Sequence, residues 1–172
     1  MTSIAFFRNL NQGQRGSPAT SDLVEAFRAA GAQDITAVGS NGTVLFSSDD
    51  PDAVAERVAG QLLPWHDQVV VRETEWLAGV LGSVDRDLDA VTEVTMFEAG
   101  QLLEISVPHP ATGSTITRVG PGFAVVVNHR QRQSNGTPAV ERLGGRPATS
   151  RSVTTLRRVL RTAHENGPPP SG

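Results

Sequence analysis

The stretch Val38-Gly39-Ser40-Asn41-Gly42-Thr43-Val44-Leu45-Phe46 constrains this chain more than any other. Asn-Gly between two apolar runs is the strongest short-range hairpin signal, because a type I′ turn needs φ > 0 at both central residues. The pattern predicts two adjacent antiparallel strands, Ile35 to Gly39 and Thr43 to Ser48, at the centre of the first half.

The flanking segments extend that hairpin into a sheet. Ser3-Ile4-Ala5-Phe6-Phe7 is a continuous apolar run, which suits a strand buried on both faces. Asn9 to Ser17 is a polar loop with Gly13 and Gly16. Pro18 fits the first turn of a helix, with Thr20 or Ser21 as an alternative cap. Leu23, Val24, Phe27 and Ala30 recur at helical spacing, and Gly31 is a stop signal. Ser48-Asp49-Asp50-Pro51 starts a second helix, with Val54, Ala55, Val58, Ala59, Leu62 and Leu63 on one stripe and Pro64 ending it. Val69-Val70-Val71 then gives a fourth strand. The order β-α-β-β-α-β over residues 3–72 is that of the ferredoxin-like plait, which places two helices on one face of a four-stranded antiparallel sheet.

The second half is less regular. Thr74 to Leu81 reads as a short helix, and Ser83 to Ala90 as an acidic connector. Strands are expected at Val91 to Phe97, Leu102 to Val107, Ser114 to Val119 and Phe123 to Asn128, divided by Gly- and Pro-containing turns. Asn135 to Leu143 reads as a helix stopped by Gly144-Gly145. Thr149 or Ser150 is expected to cap a last helix, with Val153, Leu156, Val159 and Leu160 on its apolar face. Arg157, Arg158 and Arg161 lie near its C-terminal end, where cations suit the dipole. The expected class is α+β: two tandem plait-like halves with antiparallel sheets, residues 1–72 and 73–165, and a disordered tail at 166–172.

Composition narrows the function classes. The chain has 172 residues, enough for one ordinary domain or two small ones. No apolar run approaches the roughly 18–20 residues of a membrane span, and Met1 to Ile4 carries no basic leader, so a cytoplasmic location is expected. There is no Cys, which excludes disulfides and thiolate metal sites. The net charge of −3 is unevenly spread: residues 1–127 hold 7 Arg against 16 acidic side chains, whereas residues 128–172 hold 8 Arg against Glu141 and Glu165. The basic segment therefore either pairs with the acidic body or forms an anion-binding face.

Three stretches together resemble the uncharacterised bacterial family DUF1697. They are Phe7-Arg8-Asn9-Leu10-Asn11-Gln12-Gly13, the hairpin Gly39 to Phe46, and Ala148-Thr149-Ser150-Arg151-Ser152-Val153-Thr154-Thr155-Leu156. The family patterns there resemble L-R-G-I-N-V-G-G, Q-S-G-N-V-V-F and A-T-T-R-N-W-x-T-V. This chain departs from them at Asn9, Ser40, Thr43, Ser152 and Val153. The resemblance implies two alpha-beta plaits in tandem and brings no established activity with it.

The best candidate chemistry is an anion pocket at Arg8, Asn11 and Gly13. Backbone N–H groups leading to a helix N-terminus can hold an anion, and an Arg adds a bidentate clamp. Arg151 is expected in the first turn of the last helix, where it would complete the pocket. Asn41 is expected at the opposite end of the sheet. The competing reading pairs Arg8 with a first-half carboxylate and makes Asn11 part of a turn. A second class is single-stranded nucleic acid, stacked on Phe6 or Phe7 and Phe46. A third is a protein-interaction or self-association module, with Trp65 and Trp76 between the halves. Enzyme motifs are missing. His66, His109, His129 and His164 lack metal-ligand spacing, and Asp85, Asp87 and Asp89 lack the Gly and Glu of a calcium loop. Gly39-x-x-Gly42 and Gly120-x-Gly122 precede no helix, so they are turns. Neither a metal nor a cofactor is expected.

Overall fold

The computed structural model describes residues 1–167. The chain divides into two compact units: Met1–Val80 joined by the chain from Arg157 onward, and Leu81–Leu156. Both are mixed helix and sheet, with antiparallel sheets of four and five strands.

In the first unit, β1 (Thr2–Phe7) is a central strand, and Ile4, Ala5, Phe6 and Phe7 are all fully buried, as its unbroken apolar run requires. The sheet order is β2-β3-β1-β4, with β2 at Gln33–Ala37, β3 at Thr43–Ser47 and β4 at Val69–Glu73. Helices α1 (Thr20–Ala29) and α2 (Pro51–Gln61) cover one face. Ala5, Phe7, Val44 and Phe46 pack there against Leu23 and Phe27 of α1 and Val54 and Val58 of α2. Phe7 lies edge-on to Phe27 at 5.9 Å and to Trp65 at 5.4 Å. Each such ring pair adds about 0.5–1.5 kcal/mol beyond its buried area.

The helix ends follow local chemistry. Asp50 accepts from the Ala53 N–H at 3.1 Å, and Pro51 opens α2. For α1 no hydroxyl forms the cap; Ala19 takes that position, and Asp22 reaches back to its N–H at 3.3 Å. Gly31, at φ +91°, ends α1 as its sequence position predicts.

The hairpin forms where expected but by a different turn. Val38 N–H donates to Thr43 O at 2.8 Å, enclosing four residues. Gly39 at φ +71° and Gly42 at φ +72° take the left-handed conformation, whereas Asn41 does not. Two glycines bracketing the loop remove the need for a left-handed Asn, so the turn is not type I′. The edge strand β2 carries an irregularity between Gln33 and Thr36, with Asp34 at φ +50°.

In the second unit the order is β6-β7-β8-β5-β9. The strands are β5 (Thr92–Met96), β6 (His109–Ala111), β7 (Ser114–Gly120), β8 (Phe123–Asn128) and β9 (Thr149–Ser152). Helix α3 (Thr74–Leu81) precedes it, as expected, and a short 3-10 turn at Arg86–Leu88 lies within the acidic connector. Helix α4 (Gly136–Gly144) joins β8 to β9, and Val140 of α4 packs with Phe97, Leu103, Ile116 and Val126. The strand expected at Leu102 to Val107 is absent. That segment buries Leu103 and half-buries Ile105 without entering a ladder, so its alternation comes from packing alone.

The last helix, α5 (Val153–Asn166), is not capped by Thr149 or Ser150, which belong to β9. Ser152 Oγ accepts from the Thr155 N–H at 3.2 Å instead. Within the first unit, α5 runs along the sheet. Arg158 lies at Gly39, Asn166 donates to Thr36 Oγ1 at 3.3 Å, and Ala163 shares a cavity of about 300 Å³ with Leu45 and Ser47. Asn166 closes α5, so it is not part of a disordered tail; residues 168–172 of that expected tail lie outside the described residues.

Candidate functional site

Strand pairing decides which loops meet. Phe6 faces Thr43 across β1 and β3, and Phe7 faces Val69 across β1 and β4. The β1–α1 loop, the β2–β3 hairpin and the α2–β4 loop therefore converge at one end of the first unit's sheet. Asn41 is at this end, not the opposite one: antiparallel pairing places the start of β3 beside the end of β1.

Arg8 leaves β1 half-buried. Its Nη1 donates to both oxygens of Asp67, at 3.2 and 3.0 Å, with about a fifth of each side chain exposed. Asn9, held at φ +54°, donates to the same carboxylate at 3.0 Å, and the Gln68 N–H donates to it at 2.7 Å. Trp65 Nε1 donates to Arg8 O at 3.2 Å. The α2–β4 loop thus fixes the start of the β1–α1 loop from both its backbone and its side chain. The first-half carboxylate of the competing reading is Asp67.

Gln12 joins the loop to the hairpin. Its N–H donates to Ser40 O at 2.8 Å, its Oε1 accepts from the Gly42 N–H at 2.9 Å, and its Nε2 donates to Thr20 Oγ1 at 3.1 Å. Leu10, 2% exposed, pins the loop into the core. Gly42 has no room for a side chain, since a Cβ would sit 2.9 Å from Phe7 Cβ and 3.3 Å from Leu10 O.

Asn11 is exposed, and its carbonyl accepts from the Gln14 N–H at 3.2 Å, which closes a turn. Gly13 is exposed at φ +81° with open space where a Cβ would be, and its N–H donates to Pro18 O at 3.4 Å. Arg8, Asn11 and Gly13 therefore share one loop. Arg151 belongs to the second unit, on β9 opposite Val94, and not to the first turn of the last helix. Helix α5 starts two residues later, after Ser152 has supplied its cap. Arg151 is 5% exposed, with Nη1 donating to Thr149 Oγ1 at 2.7 Å and Ser150 O at 2.9 Å. Burial lowers its pKa to about 10.

A cavity of about 510 Å³ adjoins the same loops, lined by Gly16, Ser17 and Pro18 from one and Leu62, Leu63 and Pro64 from the other. Its charged lining residues, Asp22 and Glu25, are acidic. The cavity therefore disfavours an anion. Phe6, Phe7 and Phe46 are fully buried, so none presents a ring for base stacking. Among the described residues, no group of three His, Cys, Asp or Glu is placed to hold a metal ion, and no helix is long and apolar enough to cross a membrane.

The second unit holds a polar cluster that the sequence reading passed over. Glu93, 4% exposed, accepts from the Gly136 N–H at 2.6 Å, from Asn128 Nδ2 at 2.9 Å and from Ser134 Oγ at 3.4 Å. Ser150 Oγ lies 2.7 Å from both Thr95 Oγ1 and Thr137 Oγ1. The carboxylate occupies the start of α4, where unpaired N–H groups favour negative charge. Its signal was available: a Glu within the strand-forming run Val91 to Phe97 needs an internal partner once buried.

The comparisons come to a family and a fold. The family model described as "Protein of unknown function (DUF1697)" matches residues 1–107, so the third resembling stretch, 148–156, lies beyond the matched part. No curated protein matches the chain. Among solved structures, the conserved bacterial protein SP0830 from Streptococcus pneumoniae is similar at a TM-score of 0.63 and 14% identity, covering 93% of this chain and 97% of that one. At that identity the likeness is one of fold.

Proposed function

The chain belongs to the DUF1697 family, and from that premise we propose that it is a small binding domain whose ligand is a phosphate-type anion held at Arg8, Asn11 and Gly13. Both units read as alpha-beta plaits. The run β7-β8-β5-β9 repeats the order of the first sheet, and residues 97–108 replace the helix of the first crossover.

The observation that carries the ligand reading is the positioning of Arg8. Asp67 and Trp65 hold its loop at the meeting point of three loops, while about a fifth of the Arg8 side chain reaches solvent. A preorganised Arg loses less side-chain entropy on binding than a free one. Beside it, Asn11 offers an exposed amide, and the bare Cα of Gly13 lets a ligand approach the backbone. Asp67 is the ligand's competitor for the guanidinium.

Differential scanning fluorimetry with inorganic phosphate and nucleotides tests this. A ligand at ten times its Kd stabilises the folded state by about 1.4 kcal/mol. Wild type is expected to melt higher with millimolar phosphate, Arg8→Ala to lose that gain, and Asp67→Asn to keep or enlarge it. A flat response of wild type at 10 mM (roughly tenfold above a millimolar Kd) would refute the proposal.

A further inference from the structure

We propose that the segment Leu102 to Val107 pairs with its own counterpart in a second copy of the chain, as an antiparallel ladder with Ile105 on the two-fold axis. The segment reads as a strand in sequence, and its burial has a strand's period: Leu103 and Ile105 pack into the second unit's core, whereas Leu102, Glu104 and Ser106 are exposed. Yet it enters no sheet. In a strand, the N–H and C=O of one residue point to one edge and those of its neighbours to the other. On the edge of the odd-numbered residues, the Ile105 N–H donates to Leu103 O at 3.0 Å. On the other edge, the backbone groups of Leu102, Glu104 and Ser106 make no hydrogen bond among the described residues. That open edge is a template for another strand. Water can satisfy its polar groups, but water does not cover Leu102 and Val107, which are 56% and 42% exposed.

The side chains select a second copy as the occupant, and one register. With Ile105 on the axis, Glu104 lies opposite the second copy's Ser106, and Ser106 opposite its Glu104. Each of these pairs exchanges both backbone hydrogen bonds. Each Ser106 hydroxyl donates to the facing carboxylate, a charge-assisted bond. On the other face, Ile105 meets Ile105, and Val107 lies opposite the second copy's Leu103. Shifting the axis to Glu104 sets two carboxylates against each other. Shifting it to Ser106 puts Glu104 opposite Pro108, which has no N–H to give. The bend that the Ile105 N–H closes around Glu104 straightens as the ladder forms. A strand pair this short lies well below the roughly 1,000 Å² of a permanent interface, so the dimer is weak, with a Kd on the order of 100 μM.

Sedimentation equilibrium of the full chain, from about 10 μM to about 1 mM so as to bracket that Kd, decides this. Wild type is expected to pass from monomer to dimer over the range. Ser106→Lys sets an ammonium opposite each facing Glu104 and should tighten the dimer about fivefold, whereas Ser106→Glu sets carboxylate against carboxylate and should weaken it about fivefold. Both changes fall at an exposed position, so the circular dichroism of the monomer should not move. Adding Glu104→Gln to Ser106→Lys should cancel the gain; a mere effect of net charge would enlarge it. A wild type that stays monomeric to about 1 mM overturns the proposal and leaves the open edge to a different polypeptide. A dimer that both Ser106 variants move alike or leave unmoved, or that tightens further in the double variant, lies on another surface and overturns it as well.

Discussion

Replacing Gly136 by alanine drives a methyl group into the buried cluster at the start of α4. The new Cβ falls on Thr95 Oγ1 and Glu93 Oε1 and lies 3.1 Å from Glu93 Cδ. Glu93 cannot swing into water, because it is 4% exposed and sits on a central strand. Displacing it weakens its bond to the Gly136 N–H, now 2.6 Å, and a charge-assisted bond of this kind contributes about 1.5–3 kcal/mol. Overpacking a filled site costs about 1–3 kcal/mol more. The expected loss is about 3–5 kcal/mol, read as a lower urea midpoint by circular dichroism and as faster amide exchange in α4. Because both effects act through one carboxylate, the double variant Gly136→Ala with Glu93→Ala should fall well short of the sum of the singles. A midpoint shift equivalent to less than about 1 kcal/mol, or full additivity, would show that Glu93 does not hold α4 in this way.

Two further glycines test the same reasoning in opposite directions. Gly42→Ala forces a side chain into φ +72° and against Phe7 and Leu10; it should cost about 2–4 kcal/mol by urea unfolding, and a loss below about 1 kcal/mol would mean that the hairpin shifts to make room. Gly79→Ala, on the exposed side of α3 with nothing within 4 Å of the new methyl, should stabilise by about 0.5–1 kcal/mol, and a lower melting temperature would count against an open site there.

The first unit was legible because its signals agree. The apolar run of β1, the stripes on α1 and α2 and the Asn-Gly reversal all point to one four-stranded sheet. The turn type was misread because Gly39 and Gly42 share a task that the dipeptide rule assigns to Asn41. Around Leu102 to Val107, alternation looks the same whether a segment pairs with a neighbour or only packs against a core. Strand β9, Thr-Ser-Arg-Ser, has no apolar period at all, so three cap-like residues hid it and moved Arg151 onto the helix. Of the candidate site, Arg8 and its loop stood out as a motif. Its partner Asp67 lies 59 residues away, and no local rule connects them.

The return of α5 to the first unit places a complete unit between the two parts of another. A ribosome therefore delivers residues 81–156 before it delivers the helix that lies along the first sheet. At about 5–20 residues per second, that wait lasts several seconds. The unit encoded second can be finished first. The unit encoded first must meanwhile keep the emerging sheet face of Leu45 and its neighbours unclaimed until the last helix arrives.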